Sequence, residues 1–486
     1  MKWSCPMFSV FRRHIGLFFL LFLGYMLSRT LGNYSLPFLI FYIVFFLVFL
    51  WTALRTDGSD SLFNVQNTEW LLALGILFFC LRLSHRPQLI YSSEASLISL
   101  QWILMALAAD AVVILLVFLV RKQRSRPLWI GSLTGLGLLL CFAARILVLF
   151  ASPMPHIDVF NNNSLAAQHL LSLENPYNQL YPDIYGGTAG YPPSFSYLPG
   201  LLFWIVPAQY FFSDIRVAFI FADLGTLVFL ILLGRKIGLG FKACFLLPLL
   251  WLSFAPALFI LEQSFIDPLL VFLAAACLFC LATEKFLWAG VSLGLMCATK
   301  QYSIFVPIIS VYWIYKNAGS KKAAVFLSAA FMVFAVALLP FVLASPGQFY
   351  RSVVTLLADH PLRPDSFSIV ALCLNEWNIV VPSSLSVLVY CVVLLGLLRW
   401  LAMVPVLGLR HWASALFILY GIVFLFGKMA FCNYYYFEAF FLLLVIYSGY
   451  AGHQADACNV PQKALLLSQG PACGPIRWRQ TEMQES

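Results

Sequence analysis

Apolar runs recur along the whole chain and are separated by short clusters of basic residues. The first covers residues 15–27, behind Arg12, Arg13 and His14; the second covers 38–54, and others lie at about 69–84, 97–120 and 128–150. A helix needs about 20 apolar residues to cross a bilayer core of about 30 Å, so runs of this length predict repeated crossings. The basic start of the first run has the form of a signal peptide. Arg29, Asn33 and Tyr34 follow where a small-residue cleavage site would lie, and the second run begins almost at once, so a retained first span is expected.

The basic clusters orient these spans. With Arg121, Lys122, Arg124 and Arg126 in the cytoplasm, the groups Arg235, Lys236 and Lys242, then Lys316, Lys321 and Lys322, then Arg399 and Arg410, and finally Lys463 and Arg477 all fall on the same side. Two stretches resist the count: 198–234 is too long for one span and too short for two, and 286–315 holds two helices only if both are short. Broken or half-crossing helices are expected there, and irregular backbone at membrane depth belongs where it lines a site. The predicted fold is all-α, a polytopic transmembrane bundle of about 12–14 spans with a long external first loop containing a surface helix. Residues 1–127 form N-terminal helices without an assigned role, 128–451 the main membrane domain, and 452–486 a loosely ordered cytoplasmic tail.

Composition narrows the function. Hydrophobic residues make up 62% of the 486 and charged ones only 10%, against about a quarter charged in soluble proteins, which excludes a soluble enzyme. The 29 basic and 20 acidic residues give a net charge of +9, but the excess sits in loops and none of it alternates with aromatics, so nucleic acid is not an expected partner. Of the 12 cysteines, Cys80, Cys141, Cys244, Cys277, Cys280, Cys297 and Cys391 lie within apolar stretches as small hydrophobes, and no zinc spacing appears.

Polar candidates collect on the outer side. Loop 151–198 carries Asp158, Glu174, Asp183 and the Tyr191, Pro192, Pro193 run; its segment 164–174 (SLAAQHLLSLE) has the spacing of a helix lying along the membrane, stopped by Asn175, Pro176 and Tyr177. Asp158 is set close to the bilayer edge, able to face a cavity; for Glu174 and Asp183 an inert solvated loop is the plain alternative. Glu262, Gln263 and Asp267 interrupt two apolar runs, and Asp267 has no basic neighbour in sequence. Lys300 stands alone in LGLMCATKQYSIFVP, where a cation is costly unless it meets an anion such as a lipid phosphate or snorkels to the interface. In the loop 345–378, Arg363 can hold a phosphate through paired hydrogen bonds, with Asp365 to orient it or to hold a sugar hydroxyl. Lys428, Asn433, Tyr434, Tyr435, Tyr436 and Glu438 cross the last outer interface, where tyrosines also serve as belt anchors.

In their order and spacing these pieces resemble the GT-C class of integral-membrane glycosyltransferases, nearest the bacterial polyprenol-phosphate-mannose-dependent mannosyltransferases. The likeness spans about 128–450: Asp158, ENPY at 174–177, YPP at 191–193, EQSFIDP around Asp267, ATKQY around Lys300, RPDS at 363–366 and NYYY at 433–436. The resemblance implies transfer of one sugar, with inversion, from a polyprenyl-phosphate donor to a lipid or glycan acceptor outside the cytoplasm, in a bacterial inner (plasma) membrane. It makes Asp158 the base, Lys300 and Arg363 the phosphate ligands, and Asp267, Glu174, Tyr177, Tyr191, Asp365, Asn433 and Tyr434 the surrounding substrate contacts. It implies no cofactor, with a divalent cation shared by Asp158 and Asp267 as the alternative. The competing class is a multi-pass transporter or lipid flippase, against which stand the crowding of polar candidates at one face and the lack of an internal repeat. A glycan polymerase or ligase would want more loop arginines than Arg351 and Arg363, and a non-catalytic scaffold would not need Lys300.

Overall fold

The computed structural model describes residues 14–54, 68–120, 127–187 and 190–457. Arg12, Arg13, the basic cluster at 121–126, Lys463 and Arg477 lie outside this range, as does the tail from residue 458. Among the described residues every regular element is helical, and the only extended pairing is one antiparallel bridge between Asn33 and Ser366.

Five helices precede the long loop: α1 (Ile15–Thr30), α2 (Leu36–Leu54), α3 (Glu69–His85), α4 (Glu94–Val120) and α5 (Pro127–Ala151). The loop holds α6 (Asp158–Leu171), and after it come α7 (Leu202–Phe212), α8 (Val217–Lys236), α9 (Phe241–Leu252), α10 (Ala257–Glu262), α11 (Asp267–Ala282) and α12 (Phe286–Cys297). The remainder is α13 (Phe305–Ala318), α14 (Ser320–Ala344), α15 (Pro346–Tyr350), α16 (Leu356–Asp359), α17 (Ile369–Trp377), α18 (Ser383–Met403), α19 (Leu409–Leu425) and α20 (Cys432–Ala457). Of these, α2, α4, α5, α8, α14 and α18 are long and apolar enough to cross a membrane. The chain is therefore a polytopic helical membrane protein, because in hydrocarbon only a helix satisfies its own backbone along the span.

The two irregular stretches resolve into short pieces. Residues 199–212 make a 3₁₀ turn and the 11-residue α7, separate from the full-length α8. Residues 286–318 make α12 and α13, joined through the extended Lys300 and a 3₁₀ turn, Gln301–Ile304. The surface helix differs from its predicted bounds: it starts at Asp158 and ends at Leu171, where Leu173 turns left-handed (φ 61°) and Glu174 N–H closes onto His169 O at 2.8 Å. The last helix also runs on to Ala457, into the stretch expected to be loose.

α20 is the axis of the bundle. Residues 437–447 are buried throughout, and the helix packs on α1, α9, α10, α11 and α19. The rim is the reverse: Phe331, Val336 and Leu343 on α14 and Val387, Leu388 and Leu395 on α18 are more than half exposed, the surface that lipid covers. On the rim, α12 meets α14 through Gly290 and Gly294, where any Cβ would collide with the backbone of Phe326 and Ala330. This is the small-residue spacing that lets membrane helices approach closely.

Candidate active site

The helix ends converge on a cavity of about 970 Å³. Its floor and walls come from the α5–α6 connection, the segment 185–197, the α12–α13 break, the loop 356–365 and the start of α20.

Asp158 is the first residue of α6, so its carboxylate stands where the unpaired N–H groups and the positive end of the helix dipole favour an anion. The connection that delivers it is fixed by buried Arg216, whose guanidinium donates to Ser152 O at 2.7 Å and Pro153 O at 3.4 Å while ion-pairing with Asp214. Asp158 is half-buried. Tyr191 donates to its Oδ2 at 2.8 Å, Tyr185 reaches Oδ1 at 3.4 Å, and Val159 N–H also donates to Oδ1. Burial first, and the Asp158 charge second, push both phenols up, Tyr185 to about 12, so both stay protonated as donors. The Tyr191 ring stacks on His360 with centroids 4.6 Å apart. Burial holds the His360 imidazole below its ordinary value.

Asp267 is arranged differently. It opens α11, is fully buried, and does not reach the cavity wall. Lys300 Nζ donates to both its oxygens at 3.1 and 3.0 Å, Tyr302 donates to Oδ1, and Asn433 Nδ2 donates to Oδ2 at 3.0 Å. The expected cavity-facing carboxylate is thus a support behind Lys300. With both oxygens filled, it has none to share with Asp158 around a cation. Lys300 does line the cavity, with Tyr302 and Tyr434 ring centres 4.8 and 5.0 Å from its ammonium and Tyr197 at 6.0 Å.

Arg363 and Asp365 form a two-toothed pair, Nε to Oδ1 at 2.9 Å and Nη2 to Oδ2 at 2.7 Å. Hydrogen bonding to Arg363 holds the Asp365 carboxyl below the usual carboxylate range and raises the guanidinium in turn. The guanidinium also lies over Phe431 at 5.1 Å. Asp365 uses the Nε–Nη2 edge, so Nη1 is the edge left for a ligand.

Asp158, Lys300, Arg363, Tyr191, Asp365, Asn433 and Tyr434 all line the cavity. Glu174 and Tyr177 do not. Glu174 pairs with His169 at 2.7 Å, and Tyr177 is buried against Phe195, Phe341 and Phe349 with its hydroxyl on Tyr197 O at 2.8 Å. The reason is length: the 14 residues of α6 carry the chain about 20 Å away from Asp158 at 1.5 Å per residue.

Sequence patterns assigned no role to several wall residues. Tyr185, Gln301 and His360 belong to short turns, and Asn162 and Asn163 fall before the predicted start of the surface helix. The N-terminal helices also contribute Leu31, Asn33 and Ile90. Their turn 31–34 is docked by Tyr34 N–H on Asp365 O at 2.8 Å and by the Asn33–Ser366 bridge. Gly32 (φ 79°) lies against the Cys432 backbone so closely that no Cβ fits. Buried Glu262 holds the second loop, accepting from Ile90 N–H and Tyr91 N–H at 2.8 Å each.

The model of glycosyltransferase family 87 matches residues 191–433, which is half of the chain. The match takes in Tyr191, Lys300, Arg363 and Asn433 and leaves Asp158 and the first five helices outside. No curated protein matches the chain.

Proposed function

The chain belongs to glycosyltransferase family 87, and from that premise we propose that it works in the GT-C manner, moving a single hexose, mannose first among candidates, from a polyprenyl-phosphate donor to a lipid or glycan acceptor on the extracytoplasmic side. The active site is the cavity around Asp158. One observation carries the reading: of the two carboxylates on the cavity wall, Asp365 is clamped by Arg363, whereas Asp158 has no ion pair among the described residues and is held only by neutral donors.

Asp158 takes the proton of the acceptor hydroxyl as its oxygen attacks the anomeric carbon. The bond from that carbon to the phosphate oxygen breaks on the opposite face, its electron pair leaves with the polyprenyl phosphate, and the configuration inverts. Charge grows on the departing phosphate, and Lys300 together with the free edge of Arg363 offsets it. Asp267 and Asp365 keep these two cations in place before the donor arrives, so little reorganisation is needed at the moment of reaction. The donor's chain lies among the helices with the membrane lipids; an apolar groove of about 760 Å³ between α6, α7, α8 and α11, walled by Phe203, Trp204, Phe211 and Phe221, suits such a chain.

The test is an assay of the purified protein in lipid with radiolabelled polyprenyl-phosphate-mannose and polyprenyl-phosphate-glucose, following the sugar into water or into a membrane-lipid extract. Release that disappears in Asp158→Asn supports the reading. Absence of release from either donor, with movement of labelled lipid across sealed vesicles, would overturn it. Lys300→Ala should weaken donor binding as well as turnover.

A further inference from the structure

Two arginines are sealed inside the bundle, Arg145 at 1% and Arg216 at 0% exposure, and neither lines the cavity. Both lie on one seam. Arg145 of α5 donates from Nε to Asp223 Oδ2 on α8 at 2.6 Å, from Nη1 to Cys141 O on its own helix at 3.1 Å, and from Nη2 to Leu252 O at the end of α9 at 3.1 Å. Arg216, the residue before α8, returns the tie: it holds Ser152 O and Pro153 O just past the end of α5 while Asp214 pairs with its Nε and Nη2. Arg145 is seven residues before Ser152, and Asp223 seven after Arg216, so the ties sit two turns apart, about 10 Å, in matching antiparallel register. The two helices share little direct packing. The ties therefore set how the end of α5 stands against α8.

A buried ion pair is a poor source of stability, because a hydrophobic pair of similar volume often does as well. What a guanidinium adds is direction: its donors lie in one rigid plane and accept one arrangement of partners. The seam ends at Asp158. Pro153 and Phe160 stand on either side of that residue in the chain, and the Arg216 guanidinium meets both, Pro153 through its carbonyl and Phe160 through its ring face at 5.1 Å. Misplacing a reacting group by about 1 Å costs about a hundredfold in rate. We infer that Arg216 is a positioning residue for the transfer, setting the reach of Asp158 into the cavity, and that Arg145 and Asp223 brace the helix end it holds. This rests on the transfer reaction proposed above, with Asp158 as the base.

The test uses the full chain in lipid nanodiscs with radiolabelled polyprenyl-phosphate-mannose. It reads kcat and donor KM from sugar release, the melting temperature, and hydrogen exchange of the 152–163 segment by mass spectrometry. Arg216→Lys keeps the charge beside Asp214 but cannot span two carbonyls and a ring. It should lower kcat about tenfold to a hundredfold with donor KM unchanged, and speed exchange at 152–163 about tenfold while exchange at 199–212 stays level. Arg145→Met combined with Asp223→Leu should keep the melting temperature yet lower kcat about tenfold, which a pair kept for stability alone would not do. Unchanged kcat or unchanged exchange in Arg216→Lys would overturn the inference and leave the transferase reading intact. If Arg216→Lys does not fold, the paired variant decides by the same two readings. No release by wild type would remove the transferase reading, and the exchange measurement then decides alone: faster exchange keeps Arg216 as the holder of the Asp158 segment, and level exchange overturns it.

Discussion

Asp158 and Asp267 begin as the same local solution and end as opposites. Each is the first residue of a helix, each receives a tyrosine hydroxyl, and each belongs to the group of polar residues at one end of the bundle. Asp267 is sealed, with Lys300, Tyr302 and Asn433 filling both oxygens. Asp158 is left half-open to a large cavity and surrounded by neutral donors. A buried carboxylate is tolerated when a cation and hydrogen bonds complete it, and such a group is a fixed part of the fold. A carboxylate that is oriented but not neutralised keeps a lone pair for a reacting proton. The difference between support and reagent therefore lies in what surrounds the acid, not in its place on the helix.

The sharpest way to break this comparison is to neutralise the open acid. Asp158→Asn should lower transfer by about a thousandfold or more while the melting temperature in lipid stays within a few degrees of wild type; a large fall in melting temperature would make Asp158 a structural acid as well. Next in size is the sealed acid. Asp267→Ala leaves Lys300 buried without its partner and should cost about 3–5 kcal/mol of stability, read as a lowered melting temperature. Asp267→Asn combined with Lys300→Met should recover much of it. If Asp267→Ala melts like wild type but no longer turns over, the two acids share the chemistry and the contrast fails.

Smaller effects refine the open side. Tyr191→Phe removes one hydrogen bond from Asp158 and keeps the ring on His360, so kcat should fall about tenfold or less with donor KM little changed. The smallest effect concerns acid. His360 is held neutral by burial, below its unfolded value of about 6.5. The unfolded chain therefore binds the proton first as pH falls, and stability is whole above about 6.5 and declines below it towards the folded value. A thermal melt from pH 7.5 to 5.5 should show that decline, and His360→Gln should flatten part of it.

The sequence made the membrane bundle legible because apolar runs and basic clusters are long-range patterns that need no tertiary contact to be seen. Lys300 was legible for the same reason, as a lone cation within LGLMCATKQYSIFVP. Its partnership with Asp267, 33 residues earlier, was not, since it arises only where the start of α11 meets the α12–α13 break. Glu174 and Tyr177 were close to Asp158 along the chain, but a straight helix separates them in space. Asn162 and Asn163 were hidden by a helix whose N-terminal turn is polar, because the apolar spacing that marks a surface helix begins only afterwards. Arg145 and Asp223, whose side chains pair at 2.6 Å inside two of the long helices, drew no attention in runs otherwise apolar. A single charge in each does not change a hydropathy pattern.

The docking of the turn 31–34 has a consequence for how the protein is made. The turn is synthesised about 330 residues before Asp365 and Ser366 and about 400 before the Cys432 backbone against which it sits. The segments that meet there are far apart in the chain, so this wall of the cavity is complete only once the start of α20 is in place. A nascent chain carrying every helix up to α18 already holds Asp158, Lys300 and Arg363, yet it has an open trough in place of a pocket. Residues 429–434 supply the last of the cavity's lining, so the site stays incomplete until they are made.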